Sequence, residues 1–170
     1  MNAEHLRSIQ LPLKERYREA PEAALITLRA QGRIAEGVSC KIETGKALVV
    51  AGLHPATGGS GQAACSGDML LEALVACAGV TLNAVATALG IKLRDATLQA
   101  EGDLDFRGTL GVAKEVPVGL QNIRLQFTLD TDASEEQLVT LLRLTERYCV
   151  VYQTLKHPPE LAVTRRSATG

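Results

Sequence analysis

Across residues 121–130 apolar and polar side chains alternate without interruption. Ile123, Leu125, Phe127 and Leu129 fall on one side, and Arg124, Gln126, Thr128 and Asp130 on the other. A period of two with one wet side predicts a half-buried β-strand. Residues 91–101 alternate more loosely and read as a second strand. Three shorter strand-like runs stand upstream, at 24–30, 38–43 and 46–51. The "ETGK" between the last two signals a hairpin that turns at Gly45.

From 68 to 89 the period changes. This run is almost wholly apolar, begins behind Ser66 or Gly67 as N-cap, carries Asp68 and Glu72 in its first turns and meets Gly90 as a stop. It predicts a long helix, and the glycine-rich 52–67 before it must be loop. A second helix opens at "TDASEEQL", where Asp132 and Glu135 have capping-box spacing. Its apolar side runs Leu138, Leu141, Leu142, Thr145, Cys149, Tyr152, and Pro158 and Pro159 end it. A short strand at 160–164 closes the pattern, while 102–119 is a turn-rich connection. Residues 1–23 are charged and cut by Pro12 and Pro21. They predict one or two short helices lying on the body or on a partner subunit, ahead of a domain spanning 24–170. Strands, helix, strands, helix, strand without βαβ repetition place the chain in the α+β class.

Composition narrows the function. The 170 residues are 46% hydrophobic and 22% charged, as in an ordinary globular domain with a core of its own. A net charge of −1, from 18 basic and 19 acidic residues that are interspersed, argues against nucleic acid or an anionic membrane as partner. Residues 69–89, with Glu72 their one charge, resemble a membrane span in length. Their Ala, Gly and Thr content, Asn83 and the lack of basic flanks favour a buried central helix instead. The charged start holds no apolar signal core, so a cytoplasmic location is expected, with the four cysteines reduced at rest. None is spaced CxxC, His54 and His157 have no partners at metal-ligand spacing, and "ATGGSG" is not followed by the Lys-Ser/Thr of a phosphate loop. No metal or cofactor is expected.

The candidate chemistry lies in the cysteines. At 100° per residue Cys77 shares a stripe with Leu70, Ala73, Leu74, Thr81, Ala84 and Ala88, whereas Asp68, Glu72, Gly79 and Asn83 lie about 140° round. On that stripe a cysteine that merely packs is one reading, since free Cys is among the most buried residue types. Cys149 follows Arg147, and a nearby guanidinium lowers a thiol's pKa. Equally, Cys149 continues the apolar side while Arg147 points to water. If the two helices pack together, Cys77 and Cys149 meet at disulfide distance. One thiolate would then attack an electrophile such as a peroxide O–O bond to become a sulfenic acid, and the other would condense with it. Cys65, just before the first helix, is a competing thiol; Cys40, in a strand, reads as packing.

Two segments carry a family resemblance. "SGDMLLEALVACAGVTLNAVATALGI" resembles the central helix of the osmotically inducible protein C and organic hydroperoxide resistance (OsmC/Ohr) family, which bears its first redox cysteine. "LTERYCVVYQTL" resembles the segment of its second, and "AEGDLDFRG" and "GLQNIRLQFTLD" resemble its middle strands. The resemblance runs from about 24 to 164. It implies an OsmC-like fold, with antiparallel sheets packed around two long central helices in an intertwined homodimer. It also implies reduction of organic hydroperoxides by a cysteine pair, Cys77 attacking and Cys149 resolving, re-reduced by a dithiol such as dihydrolipoyl groups. The family also uses a glutamate and an arginine beside the thiolate. Asp68 best matches the glutamate, with Glu72 second. The arginine's position falls near Ser39 and Cys40, which leaves Arg33, Arg147 and Arg107 as candidates. Val150 replaces the proline that commonly follows the second cysteine, so nothing in the sequence requires the second helix to break there. The expected function is a thiol peroxidase; the alternative is a non-catalytic redox-sensing or small-molecule-binding dimer of the same fold.

Overall fold

The computed structural model describes residues 2–4, 8, 19, 31–35, 39–43, 48–111 and 113–167, with 31–35, 39–43 and 48 described by their main chain. Of the expected N-terminal segment only positions 2–4, 8 and 19 are described, and 3, 4, 8 and 19 are helical. The expected strand at 24–30 and the turn at Gly45 lie outside the described residues.

Strands β1 (Gln31–Ala35), β2 (Ser39–Glu43) and β3 (Leu48–Gly52) form an antiparallel sheet in that order, with Cys40 opposite Ile34 and Ala51. β2 and β3 match two expected strands within two residues; β1 falls where none was expected. The glycine-rich linker turns back along β3, the Gly52 N–H donating to the Ala64 carbonyl and the Ala64 N–H to the Val50 carbonyl. Its geometry accounts for one glycine directly. A Cβ on Gly59 would lie 1.6 Å from the Leu53 carbonyl oxygen, so no other residue fits that backbone. His54 caps the turn at Pro55–Thr57 and stacks on Phe106, ring centroids 4.9 Å apart.

Helix α1 (Ser66–Leu89) is long and apolar enough to cross a membrane by length and composition alone; here it packs along the strand Leu93–Asp103 and the two C-terminal helices. Its N-cap is Cys65, whose side chain makes no capping bond, rather than Ser66 or Gly67. Its stop is the expected one. Gly90 adopts φ 71°, and the N–H of Ile91 bonds the Ala86 carbonyl at 2.9 Å, closing the last turn.

β4 (Leu93–Asp103) and β5 (Gln121–Thr131) pair antiparallel, joined through the short helix α2 (Phe106–Thr109). Ala96–Leu129, Leu98–Phe127 and Ala100–Leu125 are opposed. The alternation holds over 124–130, where Leu125, Phe127 and Leu129 turn inward while Arg124, Gln126, Thr128 and Asp130 stay wet; Ile123, expected on the inner side, is exposed at the strand's start. On that outer side Arg94 bridges Asp130 and Asp132, and Arg124 bridges Glu101 and Asp103. These exposed pairs add little stability.

Helix α3 (Glu135–Tyr148) starts on a capping box two residues beyond the expected one. Ser134 accepts from the Gln137 N–H, and the Gln137 side chain accepts from the Ser134 N–H. Asp132 is drawn off instead to Arg94. A further correction concerns length. The second long helix is two helices, α3 and α4 (Val150–Lys156), with Cys149 between them at φ −72°, ψ 108°. The final strand at 160–164 does not form; those residues are irregular and exposed.

The core lies where α1 meets α3 over the β4–β5 sheet, around Leu82, Val85, Ala86, Ile91 and Leu141. Leu141 is fully buried, so Leu141→Ala should cost about 2–5 kcal/mol through the cavity left behind. Val139→Ala, on the exposed side of the same helix, should cost under about 0.5 kcal/mol. Urea denaturation of both variants measures the difference.

Candidate active site

The break at Cys149 creates the site. In an unbroken helix the N–H of Val150 would bond the Glu146 carbonyl, that of Val151 the Arg147 carbonyl, and that of Tyr152 the Tyr148 carbonyl. With Cys149 extended, the ladder resumes only at Gln153, whose N–H bonds the Cys149 carbonyl at 2.9 Å. The three skipped N–H groups are the first of α4, the positions that every helix leaves without an internal partner. They face sulfur. Val151 and Val150 approach the sulfur of Cys77, and Tyr152 and Val151 that of Cys149.

α1 delivers the other thiol. Cys77 is half-buried on the stripe that meets the C-terminal helices, and Cys149 is buried. The two thiols are free and lie close enough to act on each other's ionisation. Their surroundings drive them apart. Burial pushes the Cys77 thiol up, but the Val151 N–H, the Cys149 thiol, the Val150 N–H and the Thr81 hydroxyl together outweigh it and leave its pKa below the ordinary value. Burial pushes the Cys149 thiol up, and the neighbouring Cys77 adds to the rise, so that the Tyr152 and Val151 N–H groups do not bring it back down. Cys77 is therefore the first of the pair to ionise, with the Cys149 S–H as its donor.

Of the residues expected at the site, the structure brings Cys77 and Cys149 together and places Asp68, Arg147 and Arg107 elsewhere on this chain. Asp68 lies roughly 13 Å from Cys77 along α1 at 1.5 Å per residue. With Glu72 it lines an open groove of about 390 Å³ beside Leu71, Val75, Ala76 and Ala100. Arg147 is exposed, its guanidinium 5.8 Å from the Tyr148 ring centroid rather than beside Cys149. Arg107 is bound to Asp105. Arg33 is on β1, opposite Lys41, and its side chain lies outside the described residues. The cation expected beside the thiolate is thus not among the described groups that set either sulfur; main-chain N–H groups occupy that role.

Sequence reasoning missed three contributors. Thr81 was legible, one turn beyond Cys77 on the same stripe; its hydroxyl donates to the Cys77 carbonyl at 2.8 Å. Val150 and Val151 act through their main chain, and nothing in a valine side chain signals that. A cleft of about 370 Å³ lies between α1, the start of β5 and α4. Leu74, one turn before Cys77, lines it with Ile123, Leu125 and Leu155, and Gln121, Asn122, Tyr152 and Lys156 add polar groups; neither cysteine is in its lining.

The fold is α+β with two free cysteines brought together at a helix break, and comparison with known proteins gives the family. The profile described as OsmC-like protein matches residues 59–164. The chain belongs to the OsmC-like family. Among solved structures, an OsmC-like protein from Mycoplasma pneumoniae superposes with a TM-score of 0.66 at 19% identity, covering 78% of this chain and 89% of that one. An organic hydroperoxide resistance protein from Elizabethkingia anophelis gives 0.62 at 16%, covering 79% and 91%. One from Legionella pneumophila gives 0.56 at 17%, covering 78% and 91%. At these identities the likeness is one of fold. Comparison with curated proteins gives no significant match.

The source of the low Cys77 pKa can be tested with charge and hydroxyl variants. Arg147→Ala should leave the pH dependence of Cys77 alkylation unchanged, because Arg147 does not act on either sulfur. Thr81→Val should move it upward and slow alkylation at neutral pH about two- to fivefold, the weight of one weak hydrogen bond. Iodoacetamide rates followed residue by residue with mass spectrometry check both.

Proposed function

We propose that the protein is a thiol-dependent peroxidase that reduces organic hydroperoxides through Cys77 and Cys149. The observation that carries this reading is the meeting of two free cysteines, Cys77 on α1 and Cys149 at the α3–α4 break, with main-chain N–H groups pulling the Cys77 thiol down and burial pushing the Cys149 thiol up. The Cys77 thiolate attacks the distal oxygen of the hydroperoxide. The O–O bond breaks, the alkoxide leaves and takes a proton to become the alcohol, and Cys77 becomes a sulfenic acid. The Cys149 sulfur then attacks the Cys77 sulfur, and the sulfenic hydroxyl leaves as water with the Cys149 proton. An external dithiol reduces the resulting disulfide by exchange and is itself oxidised. The apolar cleft beside Leu74 and Tyr152 suits the organic part of the substrate. Membership of a family whose fold is shared by organic hydroperoxide resistance proteins supports the same reading.

The acting unit is proposed to be a homodimer. Val80 on α1 is 73% exposed, and Leu161 and Val163 in the irregular C-terminal stretch are 91% and 97% exposed. Large apolar side chains left bare on one protomer favour cover by a second copy. Sedimentation should give a dimer for wild type and a weakened dimer for Val80→Glu.

Turnover is the direct test. Wild type with excess dihydrolipoamide should consume an organic hydroperoxide rapidly, with a rate that falls as pH drops through the lowered Cys77 pKa. Cys77→Ser should lose at least about a thousandfold, the nucleophile being gone. Cys149→Ser should form the Cys77 sulfenic acid once and then stall. If wild type consumes no more than the double mutant while both thiols stay reduced, the pair does not act as a peroxidase.

A further inference from the structure

The break at Cys149 is made without proline, so another group must disfavour the continuous helix. Glu146 shows which. In an unbroken helix its carbonyl would accept the Val150 N–H. Instead it accepts the side-chain amide of Gln153 at 2.8 Å, reaching back across the break. The side chain of Glu146 also accepts from the Tyr152 hydroxyl at 3.1 Å, tying the first turn of α4 to the last turn of α3 a second time. One amide donor has replaced another, and the displaced one, Val150 N–H, is among the two main-chain groups that approach the Cys77 sulfur.

We infer that Gln153 is a positioning residue for the reactive thiol: by occupying the Glu146 carbonyl it holds the α3–α4 break open and keeps the Val150 N–H on the Cys77 sulfur. This rests on the reading of Cys77 as the reactive thiol. Gln153 acts through the main chain and not on the sulfur itself. A glutamine amide suits the task because it carries donors at the end of a side chain long enough to span one turn, and it is uncharged. Tyr152 alone does not do the same, because its bond goes to the Glu146 carboxylate and leaves the carbonyl open to Val150.

The expected behaviour is non-additive. A proline at position 150 has no N–H, and its ring fits the first position of a helix while forbidding continuation from α3. Val150 is exposed, so Val150→Pro introduces no packing clash in the core. With the break imposed covalently, Gln153 has nothing left to hold.

The experiment measures Cys77 alkylation by iodoacetamide across pH, residue by residue, in wild type, Gln153→Met, Val150→Pro and the double variant, with circular dichroism to establish folding. Gln153→Met keeps the length and loses the donor. It should slow alkylation at neutral pH about three- to tenfold, as expected for one hydrogen bond, and displace the pH midpoint upward. On the Val150→Pro background the same substitution should change neither. An unaltered profile in folded Gln153→Met overturns the inference, as does the same slowing in both backgrounds. If Gln153→Met does not fold, Gln153→Lys retains a donor of similar reach and is read at about 0.5 M salt to screen its charge. Wild-type alkylation in that variant supports the inference, and a folded Gln153→Lys protein with the slow kinetics of an ordinary thiol overturns it. Because no hydroperoxide is used, these outcomes are independent of turnover. A protein without peroxidase activity can still show the Gln153 dependence, and an active one can lack it.

Discussion

A helix continuing from Thr145 to Lys156 would use the N–H groups of Val150, Val151 and Tyr152 on its own carbonyls. The protein diverts them. Cys149 takes an extended ψ of 108°, the ladder stops with its N–H on the Thr145 carbonyl, and the next three donors are turned toward sulfur. The chemistry of the cysteine pair depends on that diversion. A thiol packed into an apolar helix contact should be a poor acid. Cys77 escapes this because polar main-chain groups reach into the contact from the start of α4, where the helix itself supplies them no partner.

The fold makes the diversion sustainable. α1 holds Cys77 at a fixed height because Leu82, Val85 and Ala86 lock the second half of the helix against Leu141 and the inner side of β4–β5. α3 is fixed at its start by the Ser134–Gln137 capping box and in its middle by Leu141 and Thr145, both buried. Only then does the chain break, one turn past Thr145, so the cost of the break falls on a short segment next to an anchored helix. The same arrangement puts Cys149 against Cys77 and opens the apolar cleft beyond Leu74 and Tyr152.

Much of this was legible in the sequence, and the rest was hidden for identifiable reasons. The alternation of Leu125 to Leu129 and the apolar run closed by Gly90 follow from periodicity, which acts through side chains. Pattern alone left Cys77 and Cys149 open between packing and chemistry; the family resemblance carried the pair further. The capping box slid from Asp132 to Ser134 because Arg94, distant in sequence, claims Asp132. The expected unbroken helix failed because a glutamine amide does what proline would do, and no local propensity records a bond from Gln153 to the carbonyl of Glu146. A cation beside Cys149, read from the nearness of Arg147 in sequence, is not found there because that guanidinium lies over the Tyr148 ring instead. Main-chain donors leave no trace in residue identity.

The central claim is that Cys77 ionises ahead of Cys149 because of where the main chain points. A ¹³Cβ NMR titration of cysteine-labelled protein, assigned with the two single Cys→Ser variants, reads both thiols at once. Cys77 should titrate below the value of an ordinary free thiol and Cys149 above it. Titration of Cys149 first, or of both together at the value of a free thiol, would contradict the claim.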